Sequence, residues 1–235
     1  MKLLALETAT AAGAVALVLD GTVAAEIVTT TTRQHTETLL PAAVKLLAGV
    51  GLVVGDLDAV VVDVGPGLFT GLRVGVATAR SLALSAGIGL EAVTSLEVLA
   101  ADPATEGASS VIALVDARRG EVFAQHFAVT GDQRHPRGEP AVLRPDALGA
   151  WAVSVEPEAG RLVIVGDGAV RYAEAAQVLG GEILSSVTIP SPGVAALLVE
   201  RRGRRGPAPE SVVPLYLRDP DAVANFTVAP AGRLT

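Results

Sequence analysis

The chain of 235 residues contains no cysteine and only three histidines. The absence of cysteine excludes disulfides, thiolate zinc sites and cysteine nucleophiles. Three histidines spread singly along the chain argue against a histidine-rich metal site. Long apolar runs are missing too: half of the residues are hydrophobic, yet none of the runs approaches the roughly 18 to 20 residues of a membrane-spanning helix. Because the N-terminus also lacks the pattern of a secretory signal, we expect a cytoplasmic protein with no membrane partner.

Lysine is nearly absent, since Lys2 and Lys45 are the only two. A phosphate-binding P-loop needs a lysine beside Ser or Thr after its glycines, and neither lysine stands in such a place. The hydrolase motifs G-x-S-x-G and H-E-x-x-H are missing as well. The net charge of −7 and the pI near 5.0 argue against a molecule that wraps a polyanion as a whole. A nucleic-acid role must therefore be local or shared with a partner.

A pattern of short apolar runs and turns opens the chain. It predicts a meander of three strands, a helix, a buried strand, a second helix and a closing strand, over residues 3–7, 13–20, 23–29, 35–48, 58–64, 71–85 and 90–93 respectively. Pro41 must then lie in the first turn of the first helix.

The opening pattern returns after the polar run ADPATEGASS. The run VIALVDARRGEVFAQHFAV again predicts strand, turn, strand, with Asp116 in the place of Glu7. A polar, proline-rich stretch over 130–145 follows, and then a strand and two helices are predicted over 161–165, 169–179 and 193–202. We therefore predict two domains, 1–102 and a smaller 103–235, whose last stretch either packs back or is mobile.

The stretch DVGPGLFTGLRVGVATARSLA, residues 63–83, is unusually rich in glycine. On a helix with Thr70 as its N-cap, Gly71, Gly75 and Ala79 form a stripe of small residues that another backbone can approach closely. The opposite face of this helix carries Leu72, Val76, Ala83 and Leu84, with Arg73 and Arg80 among them. The pattern predicts a helix with two contact faces. It leaves open whether the glycines pack internally, face a partner or bind an anion at the helix start.

Six runs occur in an order and spacing that resemble the TsaB (YeaZ) family. They are LLALETATAAGAVALVLDGTV, RQHTETLLP, VVDVGPGLFTGLRVGVATARSLA, TSLEVLA, LVDARRGEVFAQHF and VPLYLRDPD. The resemblance covers nearly the whole chain. It implies an α/β fold of the actin–hexokinase (ASKHA) type, with two tandem RNase H-like lobes of which the second is reduced.

The resemblance also implies a function in tRNA modification, the threonylcarbamoylation of the adenosine next to the anticodon. In that system a protein of this family is the non-catalytic scaffold that dimerises with and activates the catalytic TsaD subunit. A TsaE-type ATPase is the third component, tRNA is contacted indirectly, and the isolated chain is expected to be a homodimer. No intrinsic cofactor is expected, and any bound nucleotide would lie at the partner interface.

The implied partner interface lies on the two predicted helices of the first domain. Its residues are His35, Leu39, Leu40, Val44, Gly71, Leu72, Arg73, Gly75, Val76 and Arg80. No catalytic or metal-binding residue is expected: TsaD-like proteins place a His-x-x-x-His pair on a metal, and the run HTETL has Leu39 where the second histidine would stand.

The first loop departs from the family pattern. Family members commonly carry Asp-Thr-Ala-Thr where this chain has Glu7-Thr8-Ala9-Thr10, so Glu7, Thr8 and Thr10 are interpreted as a vestigial nucleotide loop. Two other functions stay open. One is an ATP-dependent phosphotransferase of the same fold, and the other is a stand-alone RNA-binding homodimer.

Three polar features have two interpretations each. Glu7 and Asp116 form an acid pair across a cleft, or they are solvated or bonded to turn amides. His35 is a cap or an interface group, or a base or ligand. The run VGDGAV, residues 165–170, is a plain turn or an adenosine contact.

One basic cluster stands out in the acidic chain. It is a solvated helix end that suits the helix dipole, or a contact for tRNA phosphates. The residues concerned are Arg201, Arg202, Arg204 and Arg205.

Overall fold

The computed structural model describes residues 1–29, 35–203 and 208–218, and within them it forms two five-stranded sheets. The first sheet has the order β3-β2-β1-β4-β5, with β1 Lys2–Glu7, β2 Gly13–Leu19, β3 Thr22–Thr29, β4 Ala59–Asp63 and β5 Gly89–Val93. The first three strands are antiparallel, whereas β4 and β5 continue the sheet in parallel from β1. Strand β4 is buried along its whole length, as is typical of a strand covered on both faces.

The second sheet repeats the first. Its strands are β6 Ser110–Arg118, β7 Glu121–Thr130, β8 Gln133–Leu143, β9 Leu162–Val165 and β10 Glu182–Ile183, in the order β10-β9-β6-β7-β8. When the second sheet is read from β8 to β10, its strand connections and its parallel and antiparallel pairs match those of the first sheet read from β3 to β5. The predicted duplication is confirmed. Strand β8 falls in the proline-rich stretch, where the sequence pattern predicted no element; as an edge strand, it tolerates Pro136 and Pro140.

Seven α-helices join these strands in the part of the chain that the structure describes. They are α1 His35–Gly49, α2 Phe69–Ala86, α3 Ser95–Ala100, α4 Leu148–Val155, α5 Asp167–Arg171, α6 Ala173–Ala176 and α7 Pro192–Arg202. None of them, over those residues, is long and apolar enough to cross a membrane.

Three helix predictions are corrected. The N-cap of α2 is Leu68, without a side-chain hydrogen bond, and Thr70 lies inside the helix. Pro41 lies in the second turn of α1, which therefore lacks one backbone donor but continues. The single helix predicted over 169–179 is split into α5, α6 and a 3₁₀ turn, because the chain turns out of helical geometry at Tyr172.

Some helices pack on the sheet formed by the other half of the chain. Helices α1 and α2 cover one face of the first sheet, and α7 covers the other face, where Ala196 and Val199 pack on Leu3 and Ala5. Helix α3 packs instead on the second sheet. The predicted boundary at residue 102 therefore separates the sheets but assigns α7 to the sheet on which it does not pack. Val212 and Leu215 return to the core of the first sheet, whereas Leu217 packs on the core of the second sheet.

Candidate functional site

The glycines of the 63–83 stretch admit the chain's own backbone. A Cβ on Gly67 would overlap the carbonyl group of Ala9, and a Cβ on Gly75 would overlap the hydroxyl of Thr8. That hydroxyl donates a hydrogen bond to the Gly71 carbonyl at 2.8 Å. The loop after β1 therefore packs directly on the first turns of α2, which supports the internal-packing interpretation of the small-residue stripe.

Backbone amides of the loop between β4 and α2 already donate hydrogen bonds within the protein. The Gly65 amide donates to Asp63 Oδ1 at 2.7 Å, and the Leu68 amide donates to the Ala9 carbonyl at 2.7 Å. Gly65 has a φ of +106°, and a Cβ there would lie 3.2 Å from the carbonyl oxygen of Leu215. Two amides that a phosphate cradle would use are thus already engaged, which argues against an anion site here.

Glu7 and Asp63 are two buried carboxyl residues at the C-terminal ends of the neighbouring strands β1 and β4. Strands β1 and β4 run parallel with Leu6 opposite Val62, so the two carboxyl groups follow at the same edge. Glu7 Oε1 accepts from the Ala9 amide at 2.8 Å, and Asp63 Oδ1 accepts from Ser95 Oγ at 2.8 Å. The second oxygen of each group, Glu7 Oε2 and Asp63 Oδ2, is buried without a hydrogen-bond partner among the described residues.

Burial dominates the protonation of this pair. Burial, and then the neighbouring Asp63, raise the pKa of Glu7 well above its usual range. Burial likewise raises the pKa of Asp63. These two carboxyl groups are therefore harder to ionise than exposed ones. Asp63 was missed by the sequence interpretation of Glu7, although its place at the end of the strand beside β1 was the available signal.

Of the two interpretations of Glu7 and Asp116, the contacts favour local partners over an acid pair across a cleft. Asp116 lies at the end of β6 in the second sheet, where Oδ2 contacts Arg118 Nη1 at 3.0 Å and Arg171 Nε at 3.5 Å. Each carboxyl group thus has local partners: Glu7 Oε1 accepts from two turn amides, and Asp116 contacts two arginines. The turn-amide interpretation of Glu7 is borne out.

The VGDGAV run forms the turn from β9 to α5. A Cβ on Gly166 would overlap the Leu114 carbonyl oxygen, and one on Gly168 would lie 2.9 Å from it. Asp167 Oδ1 accepts from the Asp116 amide at 2.8 Å. The two glycines therefore let the turn pack on β6, as a structural turn does.

The predicted interface residues divide by burial. Leu39, Leu72 and Val76 have 3%, 0% and 3% of their surface exposed and lie in the core, so the expectation that they face a partner is corrected. The physical reason is the width of the buried arc of α2, which takes in both predicted contact faces. Gly71 and Gly75 are buried as well.

A second group of the predicted residues is exposed. Leu40 and Val44 on α1 are 45% and 54% exposed, and Leu84 on α2 is 49% exposed. Arg73 is exposed, and Arg80 is partly exposed. Because α1 and α2 cover the same face of the sheet, these side chains share one surface, called here the outer face. The side chain of His35 lies outside the described residues, although α1 begins at that residue.

An aromatic cluster joins the C-terminal segment to the start of α2. The guanidinium carbon of Arg73 lies 3.9 Å from the ring centre of Phe69, and Arg73 Nε donates to the Tyr216 hydroxyl at 3.1 Å. The Phe69 and Tyr216 rings are 5.0 Å apart. Sequence reasoning missed this contact, which links two motifs that lie far apart in the chain.

The basic cluster is described in part. Arg202 Nη2, at the end of α7, donates to Glu97 Oε1 on α3 at 3.2 Å. Arg201 is exposed. Arg204 and Arg205 lie outside the described residues. No group of three or more His, Asp or Glu side chains in the described ranges is arranged to hold a metal ion.

Comparisons with known proteins agree with this architecture. The family model of TsaD, tRNA N6-adenosine threonylcarbamoyltransferase, matches residues 22–177. The tRNA threonylcarbamoyladenosine biosynthesis protein TsaB of Bacillus subtilis is 31% identical over 232 residues, covering 96% of this chain and 98% of that protein. TsaB of Escherichia coli is 37% identical over 150 residues, 63% of this chain and 64% of that protein. The structure of YeaZ from Pseudomonas aeruginosa is 30% identical, with a TM-score of 0.78 and coverage of 92% and 99%. The chain therefore has the predicted α/β fold with two sheets of matching topology, and it shares this fold with YeaZ.

Proposed function

Because the chain belongs to the TsaB (YeaZ) family of tRNA threonylcarbamoyladenosine biosynthesis proteins, we propose that it is the non-catalytic subunit that binds and activates a TsaD-type catalytic subunit. The observation that carries this proposal is the outer face of α1 and α2. Three large apolar side chains are about half exposed there, on neighbouring helices whose inner faces are already fully packed.

The outer face has the composition of a binding surface. Leu40, Val44 and Leu84 supply apolar area, and α2 also carries the exposed Arg73 and the partly exposed Arg80. Apolar anchors at the centre of an interface typically lose more than about 1 kcal/mol of binding free energy each when truncated. A partner helix laid across α1 and α2 would bury all three side chains.

The lack of independent catalysis is supported by what occupies the glycine loop. The Gly65 and Leu68 amides already donate to Asp63 and Ala9, and the Glu7 carboxyl group is buried, with a pKa that burial raises, instead of facing an open cleft. A phosphotransferase of this fold needs an accessible charged carboxylate for metal-bound phosphate. No contact in the described residues favours that alternative.

Activation would follow from differential binding. If the outer face binds the active arrangement of the catalytic subunit better than other arrangements, it shifts the population toward that state. The same face would be used in a homodimer of the isolated chain, so homodimer and heterodimer would compete. A TsaE-type ATPase, a nucleotide at the subunit interface and a tRNA contact through Arg201 and Arg202 complete the proposal.

Binding of a purified TsaD subunit to this chain tests the proposal. We expect Leu40→Asp with Val44→Asp to abolish the heterodimer, measured by calorimetry, because two charges would be buried without partners. The thermal melt should stay close to that of the wild type, since both side chains are exposed. Val153→Asp on α4 is the matched control, because Val153 is 77% exposed but lies on the second lobe. Normal binding by the double variant, or equal loss in the control, would refute the proposed interface.

A further inference from the structure

A cavity of about 470 Å³ lies between α3, the end of α7 and the β7–β8 hairpin. It is on the side of the first sheet opposite α1 and α2, so it is separate from the outer face. Ala101, Phe127 and Leu198 supply apolar lining, and three arginines, Arg134, Arg201 and Arg202, line the rest together with polar side chains. Its volume falls within the range of about 300 to 1,000 Å³ that is typical of small-molecule sites.

Arg134 is held in place with donors to spare. Its Nε donates to the Ala100 carbonyl at 3.2 Å, and its Nη2 donates to Thr105 Oγ1 at 3.0 Å. Among the described residues, none accepts a hydrogen bond from its Nη1. The guanidinium group is thus oriented by α3 and the turn after it, and it can still donate to a ligand.

Arg201 brings a second positive charge to the same cavity. Burial and, after it, the charge of Arg201 lower the pKa of Arg134. Two guanidinium groups that repel each other at a partly enclosed site raise the free energy of the empty cavity. An anion between them would remove that repulsion.

The negative side chains of the lining do not cancel this charge. Glu97 is already engaged, since its Oε1 accepts from Arg202 and its Oε2 accepts from the Thr94 amide at 3.0 Å. Asp132 lies in the turn of the β7–β8 hairpin and is the other acidic residue of the lining. The lining thus holds three arginines and two carboxylates; Arg202 pairs with Glu97, while Asp132 and the nearby Glu106 act against the charge of Arg134.

We propose that this cavity binds a small organic phosphate. The phosphate would accept hydrogen bonds from Arg134 and Arg201, whose planar guanidinium groups match phosphate oxygens in pairs. The apolar part of the ligand would lie on Ala101 and Leu198. The site does not depend on the proposed heterodimer, but it shares Arg201 with the proposed tRNA contact.

Titration of the full chain with phenyl phosphate, inorganic phosphate and phenol at constant ionic strength tests the site. Nuclear magnetic resonance shifts should move at the cavity with phenyl phosphate, less with inorganic phosphate and not with phenol. Arg201→Gln should weaken binding by about tenfold or more, the usual effect of losing a charged hydrogen-bond donor. Arg144→Gln is the control, because Arg144 is exposed and pairs with Asp146 outside the cavity.

Three results would overturn the proposal. They are an absence of shifts at the cavity, equal binding by Arg201→Gln and wild type, and equal loss of binding in Arg144→Gln. A parallel titration with tRNA separates the two sources of phosphate. If tRNA binding depends on Arg201 while phenyl phosphate does not bind, the arginines contact a nucleic-acid backbone and the small-ligand site is refuted.

Discussion

Replacing Gly75 with alanine should destabilise the protein, although alanine is the better helix residue by about 1 kcal/mol. The added methyl group would overlap the hydroxyl of Thr8, which donates to the buried Gly71 carbonyl at 2.8 Å. Overpacking of this kind costs about 1 to 3 kcal/mol, and loss of the hydrogen bond adds about 1 kcal/mol. The free energy of unfolding should therefore fall by about 1 to 3 kcal/mol after the helix gain is subtracted.

Urea unfolding and thermal melting measure this loss, which corresponds to about 2 to 4 °C in Tm for each kcal/mol in a chain of this size. Gly49→Ala is the control, because a Cβ at that end of α1 meets nothing within 4 Å. Thr8→Ala removes the hydroxyl, so adding Gly75→Ala to it should cost less than Gly75→Ala alone. If Gly75→Ala is as stable as the wild type, the added methyl group does not overpack the site. An equal loss of unfolding free energy with and without the Thr8 hydroxyl would show that this hydroxyl is not the cause.

Two further predictions concern the buried carboxyl pair and the second lobe. Because burial and Asp63 raise the pKa of Glu7, the folded protein keeps a proton that the unfolded chain releases; stability from this pair is present below the usual carboxyl pKa and is lost as pH rises toward the raised value. Glu7→Gln should flatten that decline in urea unfolding, and a wild-type stability that rises with pH over this range would contradict the assignment. Gly166→Ala should lower Tm more than Gly120→Ala: both glycines have positive φ, but only at Gly166 would the added Cβ meet other atoms, those of the Leu114 carbonyl. Equal losses would show that backbone strain alone accounts for the effect.

The two-lobed fold could be predicted because strand and turn patterns repeat along the chain. The tight turns and alternating apolar runs of each lobe are local features, so β1, β2, β6 and β7 can be predicted without tertiary information. Strand β8 is not, because its prolines and charges suit an edge strand whose neighbour is known only from the fold.

The orientation of α2 could not be read from periodicity. Its two predicted faces, with Gly75 on one and Leu72 on the other, are both internal, since one packs on the Thr8 loop and the other lies in the core. The exposed arc that remains is narrow and contains Arg73 and Leu84. A helix packed on a sheet and on a loop at once buries more than a single amphipathic stripe.

The partner of Glu7 could not be predicted from the sequence either. Asp63 is 56 residues away along the chain, and it meets Glu7 only because β1 and β4 are neighbours in the sheet. A charged residue at a strand end says nothing by itself about which strand lies beside it. The alternative partner, Asp116, occupies the equivalent place in the other lobe, where it has its own arginines.

Reconstitution of tRNA threonylcarbamoylation tests whether this chain activates a TsaD-type subunit through the outer face. The modified adenosine would be quantified by mass spectrometry in reactions that contain the TsaD-type and TsaE-type proteins with this chain, without it, or with its Leu40→Asp, Val44→Asp variant. We expect product with the wild-type chain, little product without it or with the variant, and none from the chain alone. Full activity with the folded double variant, or product formed by the isolated chain, would contradict it.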